Sequence, residues 1–115
     1  MLYIRNMSIA AEDRTFRALA NPVRRRLLDL LKDRPLTTGA LCRAAPELDR
    51  CTVMQHLKVL EEADLLIVER RGRERWNHLN PLPIHQIHTR WIGPLAAQAV
   101  GVLDNLKREV EAGQQ

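Results

Sequence analysis

The segment at residues 51–66, CTVMQHLKVLEEADLL, constrains the fold of this chain more than any other stretch. Its apolar residues recur every three or four positions, which predicts a helix over residues 50–63 with one buried face: Val53, Leu57, Leu60 and Ala63. The other face is polar and carries Arg50, Thr52, Gln55, His56 and Lys58. Such a helix either packs inside a small bundle or presents its polar face to a partner, and the flanking sequence must distinguish the two.

Two longer helices are predicted near the N-terminus. Residues 9–20 form the first, with one apolar side made of Ile9, Phe16, Leu19 and Ala20. Asn21 is a good N-cap and Pro22 is tolerated at the first helical position, so a second helix begins there. It ends at Arg34, because a residue before proline avoids helical angles. Its inward residues are Val23, Leu27, Leu28, Leu30 and Leu31.

A short third helix precedes the segment at residues 51–66. Thr37 or Thr38 can cap it, and it runs through Ala45 before Pro46 breaks it. After the turn PELD, Asp49 can cap the next helix. The sequence therefore predicts two helices joined by a tight turn, of which the second is longer and has a polar outer face.

A β-hairpin is predicted next, with strands at residues 65–69 and 75–79 around a turn that contains glycine. Its tip is very basic and holds Arg70, Arg71, Arg73 and Arg75. From Ile84 onward the pattern is helical again, with a kink expected at Gly93-Pro94. The predicted parts are an N-terminal tail (1–8), a core (9–82) and a C-terminal helix (83–112). Met7 is an alternative start to Met1.

Helices followed by an arginine-tipped hairpin, in a mainly α chain with a small β-hairpin, predict a winged helix-turn-helix. A helix fits the major groove of DNA and offers its side chains to base edges, while hairpin arginines can bind phosphates or the minor groove. Gln55 suits adenine, Arg50 suits guanine or phosphate, and Thr52 suits phosphate or a thymine methyl. His56 and Lys58 are expected on the DNA backbone, and Thr37 and Thr38 beside a phosphate at a helix N-terminus.

Four segments together resemble the ArsR family of bacterial winged-helix repressors: FRALANPVRRRLLDLL, TTGALCRAA, CTVMQHLKVLEEADLL and VERRGRERWNHLNP. The resemblance spans about residues 16–81. It implies a homodimer that binds a short inverted repeat of double-stranded DNA and blocks transcription, with the first and last helices forming the dimer. The expected interface residues are Phe16, Ile84, Ile87, Trp91, Leu95, Val102, Leu106 and Val110. Alternatively, this apolar stripe packs back on its own chain.

The resemblance implies two possible metal sites, and this chain lacks ligands for both. On the third helix Cys42 has no partner cysteine, and on the last helix no histidine follows Asp104. His85 and His88 share a helix face but have no third ligand nearby, so neither a metal nor a cofactor is expected. The C-terminal part resembles a subgroup without metal ligands, whose effector is a small molecule or none. One alternative is a repressor that responds to oxidation through Cys42 and Cys51 as a redox pair. Another is a metal-responsive repressor that uses the same two cysteines.

Composition narrows the function classes. The net charge of +4 and the pI of about 9.7 come mainly from arginine, which suits nucleic acid. No apolar run approaches the ~20 residues of a membrane span, and no signal peptide is visible, so a cytoplasmic protein is expected. No phosphate loop or nucleophile–base pair indicates an enzyme. A winged-helix module that binds protein is the remaining alternative, although it explains the hairpin arginines less well.

Overall fold

The structure, a computed structural model, describes residues 8–113. Six α-helices and three strands are found in this range, in the chain order α1 (Ile9–Leu19), α2 (Pro22–Leu31), β1 (Leu36–Thr37), α3 (Thr38–Ala44), α4 (Arg50–Glu62), β2 (Leu66–Arg71), β3 (Glu74–Leu79), α5 (Leu82–Trp91) and α6 (Ala96–Gly113). Of the expected tail, only Ser8 is among the described residues. Met1 and Met7, the two alternative starts, both lie outside them. The predicted winged helix-turn-helix is confirmed: α3 and α4 are the helix pair, and β2–β3 is the wing.

Side-chain caps start the helices at the places that the sequence predicts. Asn21 Oδ1 accepts from the backbone N–H of Val23 at 2.8 Å. Asp49 Oδ1 accepts from the N–H of Thr52 at 2.7 Å and so begins α4. Of the two threonines proposed as the cap of α3, Thr37 has this role, because its Oγ1 accepts from the backbone N–H of Ala40 at 3.1 Å. These bonds satisfy N–H groups that a helix leaves unpaired at its start.

The apolar core lies where α1, α2, α3 and α4 meet the wing. The inward leucines of α2 and the buried face of α4 are confirmed, and the core cluster includes Leu27, Leu31, Leu41, Val53, Leu57, Leu60 and Leu65. In α1 the core side differs from the predicted apolar side. Thr15 and Ala18 are buried, whereas Ile9 and Phe16 are exposed. Leu19 packs against the core cluster but is only partly buried.

The sheet has three antiparallel strands in the order β1-β3-β2, one more than the predicted hairpin. The additional strand β1 is two residues long and pairs Leu36 with Asn77. In the wing, the register runs from Leu66↔Leu79 to Arg71↔Glu74, which leaves a two-residue loop. Gly72 opens that loop with φ of +61°, a conformation that glycine adopts without steric cost. Both wing strands extend closer to the tip than the sequence predicts.

The end of α4 is closed by a Schellman motif. The N–H of Leu65 donates to the carbonyl of Leu60, and that of Asp64 to the carbonyl of Glu61, both at 2.9 Å. Asp64 has φ of 61°, the left-handed conformation that this motif requires at the residue after the cap. The Asn80 side chain donates to the Asp64 carbonyl at 2.8 Å, which ties the end of the wing to the end of α4.

The chain divides into two compact units, one up to Pro83 and one from Ile84. In the second unit, α5 ends at Trp91 and a 3₁₀ turn at Gly93–Leu95 precedes α6, so the helix is interrupted where Gly93-Pro94 predicts a kink. None of the side chains described for α6 is buried. No helix in the described part of the chain has both the length and the apolar character needed to cross a bilayer.

Candidate nucleic-acid interface

Helix α4 is held on the core by one face and exposes the other. Val53, Leu57 and Leu60 are buried, and they fix both the position and the rotation of the helix. Arg50, Gln55 and Lys58 are exposed, whereas Thr52 and His56 are half-buried. The 13-residue helix is about 20 Å long at a rise of about 1.5 Å per residue, enough to lie along a major groove.

A basic groove of about 340 Å³ lies between the start of α3, the first half of α4 and the wing. Ten residues line it: Thr37, Thr38, Gly39, Arg43, Arg50, Met54, Arg70, Arg73, Glu74 and Arg75. Five are arginines and one is acidic, so the groove is strongly positive and suits a polyanion. The fold thus brings together candidate residues from three separate segments of the sequence.

Arg43 also belongs to this groove, although it is not among the residues predicted from the sequence. It is exposed at the end of the short helix α3. A side-chain carbon placed on Gly39 would lie 3.4 Å from Arg43 Nη1, so the guanidinium extends back over the first turn of α3. A basic residue on the solvent side of α3, the first helix of the pair, is the sequence feature that could have indicated Arg43.

The four hairpin arginines do not form one free basic tip. Arg70 and Arg73 are exposed, and neither has a polar partner among residues 8–113. Arg71 instead donates to Glu69 at 2.9 Å and lies over the Trp76 ring, 5.0 Å from its centroid. Arg71 is therefore engaged within the wing itself.

Arg75 lies at the base of the groove rather than at the wing tip. Its Nη2 donates to Glu61 Oε1 at 2.7 Å, which connects β3 to the second half of α4. Arg75 also stands directly opposite Arg70 in the sheet, a like-charge pairing that Glu61 partly neutralises. Arg75 therefore connects the wing to α4 through Glu61, and its contact with DNA stays a prediction.

Thr38 uses its side chain within the fold, and its place beside a phosphate stays a prediction. Only 5% of Thr38 is exposed, and its Oγ1 accepts from Asn77 Nδ2 at 3.1 Å. Asn77 is fully buried and donates to the Leu36 carbonyl as well, at 3.2 Å. The Thr38 hydroxyl therefore links α3 to the sheet. Thr37, half-buried, uses its hydroxyl as the cap of α3.

Arginines at the start of α2 hold the neighbouring helices in place. Arg24 donates from Nε to the Ala18 carbonyl at 2.8 Å, and from Nη2 to the Arg17 carbonyl at 3.0 Å. Arg25 donates to the Leu19 carbonyl at 2.6 Å. These bonds cap carbonyls in the last turn of α1, of which that of Arg17 also accepts from the N–H of Ala20 at 3.3 Å. A remaining donor of Arg24, Nη1, lies 3.3 Å from His56 Nδ1 on α4.

Arg26 fixes the turn between α3 and α4. Its Nη2 donates to the Ala44 carbonyl at 2.9 Å, and its Nη1 pairs with Glu47. The hydrogen bond from Arg26 lowers the pKa of Glu47. The backbone N–H of Thr52 likewise lowers the pKa of the capping carboxylate Asp49. Both carboxylates are therefore stabilised in their charged forms, which favours this geometry of the turn at neutral pH.

The cysteines and histidines form no evident ligand set. Cys42 is half-buried and Cys51 is exposed, and both are free thiols. Over residues 8–113, no three side chains of histidine, cysteine, aspartate or glutamate lie close enough to share a metal ion. His85 Nε2 is 3.4 Å from Thr89 Oγ1 on the same helix. The redox role of Cys42 and Cys51 stays a prediction.

Comparison with known proteins identifies similar sequences and structures. A family model described as a helix-turn-helix domain matches residues 19–69. The HTH-type transcriptional regulator Rv2034 of Mycobacterium tuberculosis is 38% identical over 77 residues, which cover 67% of this chain and 71% of that protein. The transcriptional repressor SdpR of Bacillus subtilis is 31% identical over 65 residues, covering 56% of this chain and 71% of that protein.

Among solved structures, the ArsR family transcriptional regulator RHA00566 superposes with a TM-score of 0.66 at 26% identity. The superposition covers 80% of this chain and 90% of that one. The family model includes both helices of the pair, α3 and α4, which contribute to the basic groove.

Proposed function

The chain belongs to the ArsR family of winged helix-turn-helix transcriptional regulators, and we propose that it acts as a homodimeric repressor bound to an inverted-repeat operator. It is a DNA-binding regulator and not an enzyme. The observation that carries the proposal is the five-arginine groove beside the exposed face of α4. Positive charge gives affinity for the DNA backbone, and the exposed helix adds base contacts that select the sequence.

In the proposed complex, the N-terminal half of α4 enters the major groove. Gln55 is exposed there and its amide can pair bidentately with adenine. Arg50, at the first position of α4, reaches guanine or a phosphate, and Thr52 and Lys58 contact the flanking backbone. Arg43, Arg70 and Arg73 line the groove. In this arrangement they bind phosphates and do not contact bases.

The dimer half of the proposal rests on the apolar side of α6. Val102, Leu106 and Val110 follow at intervals of four, so they share one side of the helix, and they are 65%, 53% and 53% exposed. Leu95 and Phe16 are exposed as well, whereas Ile87 is half-buried. Apolar helix faces of this length are usually covered, and a second copy of the same helix is a suitable partner.

Fluorescence anisotropy with labelled duplexes tests the DNA half of the proposal. The full chain is titrated into duplex from its own upstream region and into a scrambled duplex, over a salt series. We expect the native duplex to bind about 10³-fold more tightly, with a steep loss of affinity as salt rises. Equal, weak binding to both duplexes, with no specific sequence recovered by genome-wide selection, would contradict the proposal.

Two matched substitutions separate base reading from backbone binding. Gln55→Ala should weaken binding to the native duplex about 10-fold or more and leave the scrambled duplex unchanged, because a bidentate base contact contributes about 1–3 kcal/mol. Arg73→Ala should weaken binding to both duplexes and reduce the salt slope by about one, because it removes one phosphate contact. The two variants thus act as controls for each other.

A further inference from the structure

Arg24 and His56 connect the start of α2 to the middle of α4. Two donors of the Arg24 guanidinium are occupied by the carbonyls of Ala18 and Arg17, at 2.8 and 3.0 Å. Because the guanidinium is planar, these two bonds also fix the direction of its third nitrogen. That nitrogen, Nη1, points to His56 Nδ1 at a distance of 3.3 Å.

The chemistry of this contact determines where the histidine ring carries its proton. A guanidinium has only donors, so the nitrogen that faces it must accept a hydrogen bond. Only an unprotonated ring nitrogen can accept. The contact therefore requires a neutral His56 with a lone pair on Nδ1 and its hydrogen on Nε2. A lowered pKa agrees with this, since burial first, and then the charge of Arg24, disfavour the protonated ring.

The other ring nitrogen of His56 remains available for a ligand. Nε2 has no hydrogen-bond partner in the described part of the chain. The buried polar atoms that lack a partner there do not include it, so Nε2 is not enclosed without one. His56 is half-buried rather than enclosed. It stands one helical turn after Thr52 and next to Gln55, so it borders the face that the proposed function assigns to DNA.

We propose that Arg24 fixes His56 as a hydrogen-bond donor through Nε2–H, and that this donor bonds an acceptor atom of the bound DNA. The proposal rests on the proposed function and assigns a donor to one position beside the exposed face of α4. Acceptors in DNA are N7 and O6 of guanine, N7 of adenine, O4 of thymine and the phosphate oxygens, whereas cytosine offers an amino donor in the major groove. Arg24 is then a positioning residue, which acts through His56.

Nuclear magnetic resonance of the free protein tests the role of Arg24 without DNA. In the full chain labelled with ¹⁵N-histidine at pH 7.5, we expect His56 to be protonated on Nε2 and unprotonated on Nδ1. Arg24→Met removes the donor, so the His56 nitrogens should shift and its pKa should rise. Arg25→Met is the matched control, because Arg25 bonds the adjacent Leu19 carbonyl. A wild-type His56 protonated on Nδ1, or unchanged signals in Arg24→Met, would overturn the proposal.

Binding to the tightest duplex recovered from a random-sequence selection tests the role of His56. His56→Met removes the donor and should weaken binding about 10-fold, the equivalent of one hydrogen bond. His56→Gln places an amide N–H near the position of Nε2 and should lose less than about 3-fold. Combining Arg24→Met with His56→Met should weaken binding no further than His56→Met, if Arg24 acts through this ring. Wild-type affinity in His56→Met would overturn the proposal.

The source of the acceptor is separated by changing the DNA. If the acceptor is a base, replacing one base pair abolishes the difference between wild type and His56→Met. If it is a phosphate, a methylphosphonate at one linkage abolishes that difference, and base changes do not. Should the wild type bind every duplex alike, the proposed function fails, whereas the resonance measurement still decides whether Arg24 fixes the ring.

Discussion

Burial and the charge of Arg24 hold the pKa of His56 below its ordinary value of about 6.5. Between that lowered pKa and 6.5, the unfolded chain binds more protons than the folded chain, so the free energy of unfolding rises with pH in this window. The contribution of His56 to the free energy of unfolding is complete above about pH 6.5. It is lost as the pH falls through the pKa of His56 in the folded chain. We therefore expect the stability difference between wild type and His56→Gln to be largest at pH 7.5 and to decrease towards pH 5.

Urea unfolding of both proteins at pH 7.5, 6 and 5 measures this difference. The pKa values of Glu47, Asp49 and Glu69 are lowered by their hydrogen bonds, and they titrate at more acidic pH. These carboxylates are present in both proteins, so their effects cancel in the comparison. A difference that stays constant or grows on acidification would contradict the prediction.

Also at the scale of the residue, the hydrogen-bond partners of the arginines could not be predicted from the sequence. Arg24, Arg25 and Arg26 stand in the first turns of α2, where the helix dipole disfavours positive charge, and the sequence pattern assigned them no role. Their acceptors are carbonyls of α1 and α3, the carboxylate of Glu47 and a ring nitrogen of α4, and no local pattern specifies these. In the same way, basic composition predicts a basic wing, whereas only the register places Arg75 beside Glu61.

At the scale of the element, the end of α4 contains a residue that does not suit its conformation. Asp64 is the one non-glycine residue with positive φ in the described chain, and L-residues pay about 1 kcal/mol or more for that conformation. We expect Asp64→Gly to raise the free energy of unfolding by about 0.5–1 kcal/mol and Asp64→Ala to lower it, as measured by urea unfolding. Asp33→Gly, in the bend after α2, is the control and should give no gain.

Elements with a strong period are predicted well from this sequence, and elements fixed by distant pairing are not. The four helices up to Glu62 and both wing strands were expected within a few residues of their observed bounds. Strand β1 was missed, because two residues carry no alternation and its existence depends on pairing with Asn77 and Trp76. Thr38 follows this strand, and the bond between its hydroxyl and Asn77 depends on the same distant pairing, so its burial could not be predicted either.

At the scale of the whole molecule, the proposed dimer makes a charge on the apolar side of α6 unusually disruptive. A two-fold axis repeats each substitution in the facing subunit, so Leu106→Asp places two unpaired carboxylates in one apolar interface. Burying each unpaired charge costs several kcal/mol, about 3–5 for a broken buried pair. We expect sedimentation velocity at about 10 μM to show a wild-type dimer and a Leu106→Asp monomer. Asn105→Asp adds the same charge to a neighbouring side of the helix and should remain dimeric.

The operator that such a regulator recognises depends on the same interface. A dimer presents two copies of α4, and successive major grooves on one face of DNA are about 34–36 Å apart, so both copies bind only when the two half-sites have the matching spacing. Leu106→Asp should therefore lose the advantage of the inverted repeat and bind it no more tightly than a single half-site, while Asn105→Asp keeps it. Anisotropy with full and half-site duplexes measures this ratio. A Leu106→Asp variant that still prefers the full repeat would show that the apolar side of α6 is not the dimer contact.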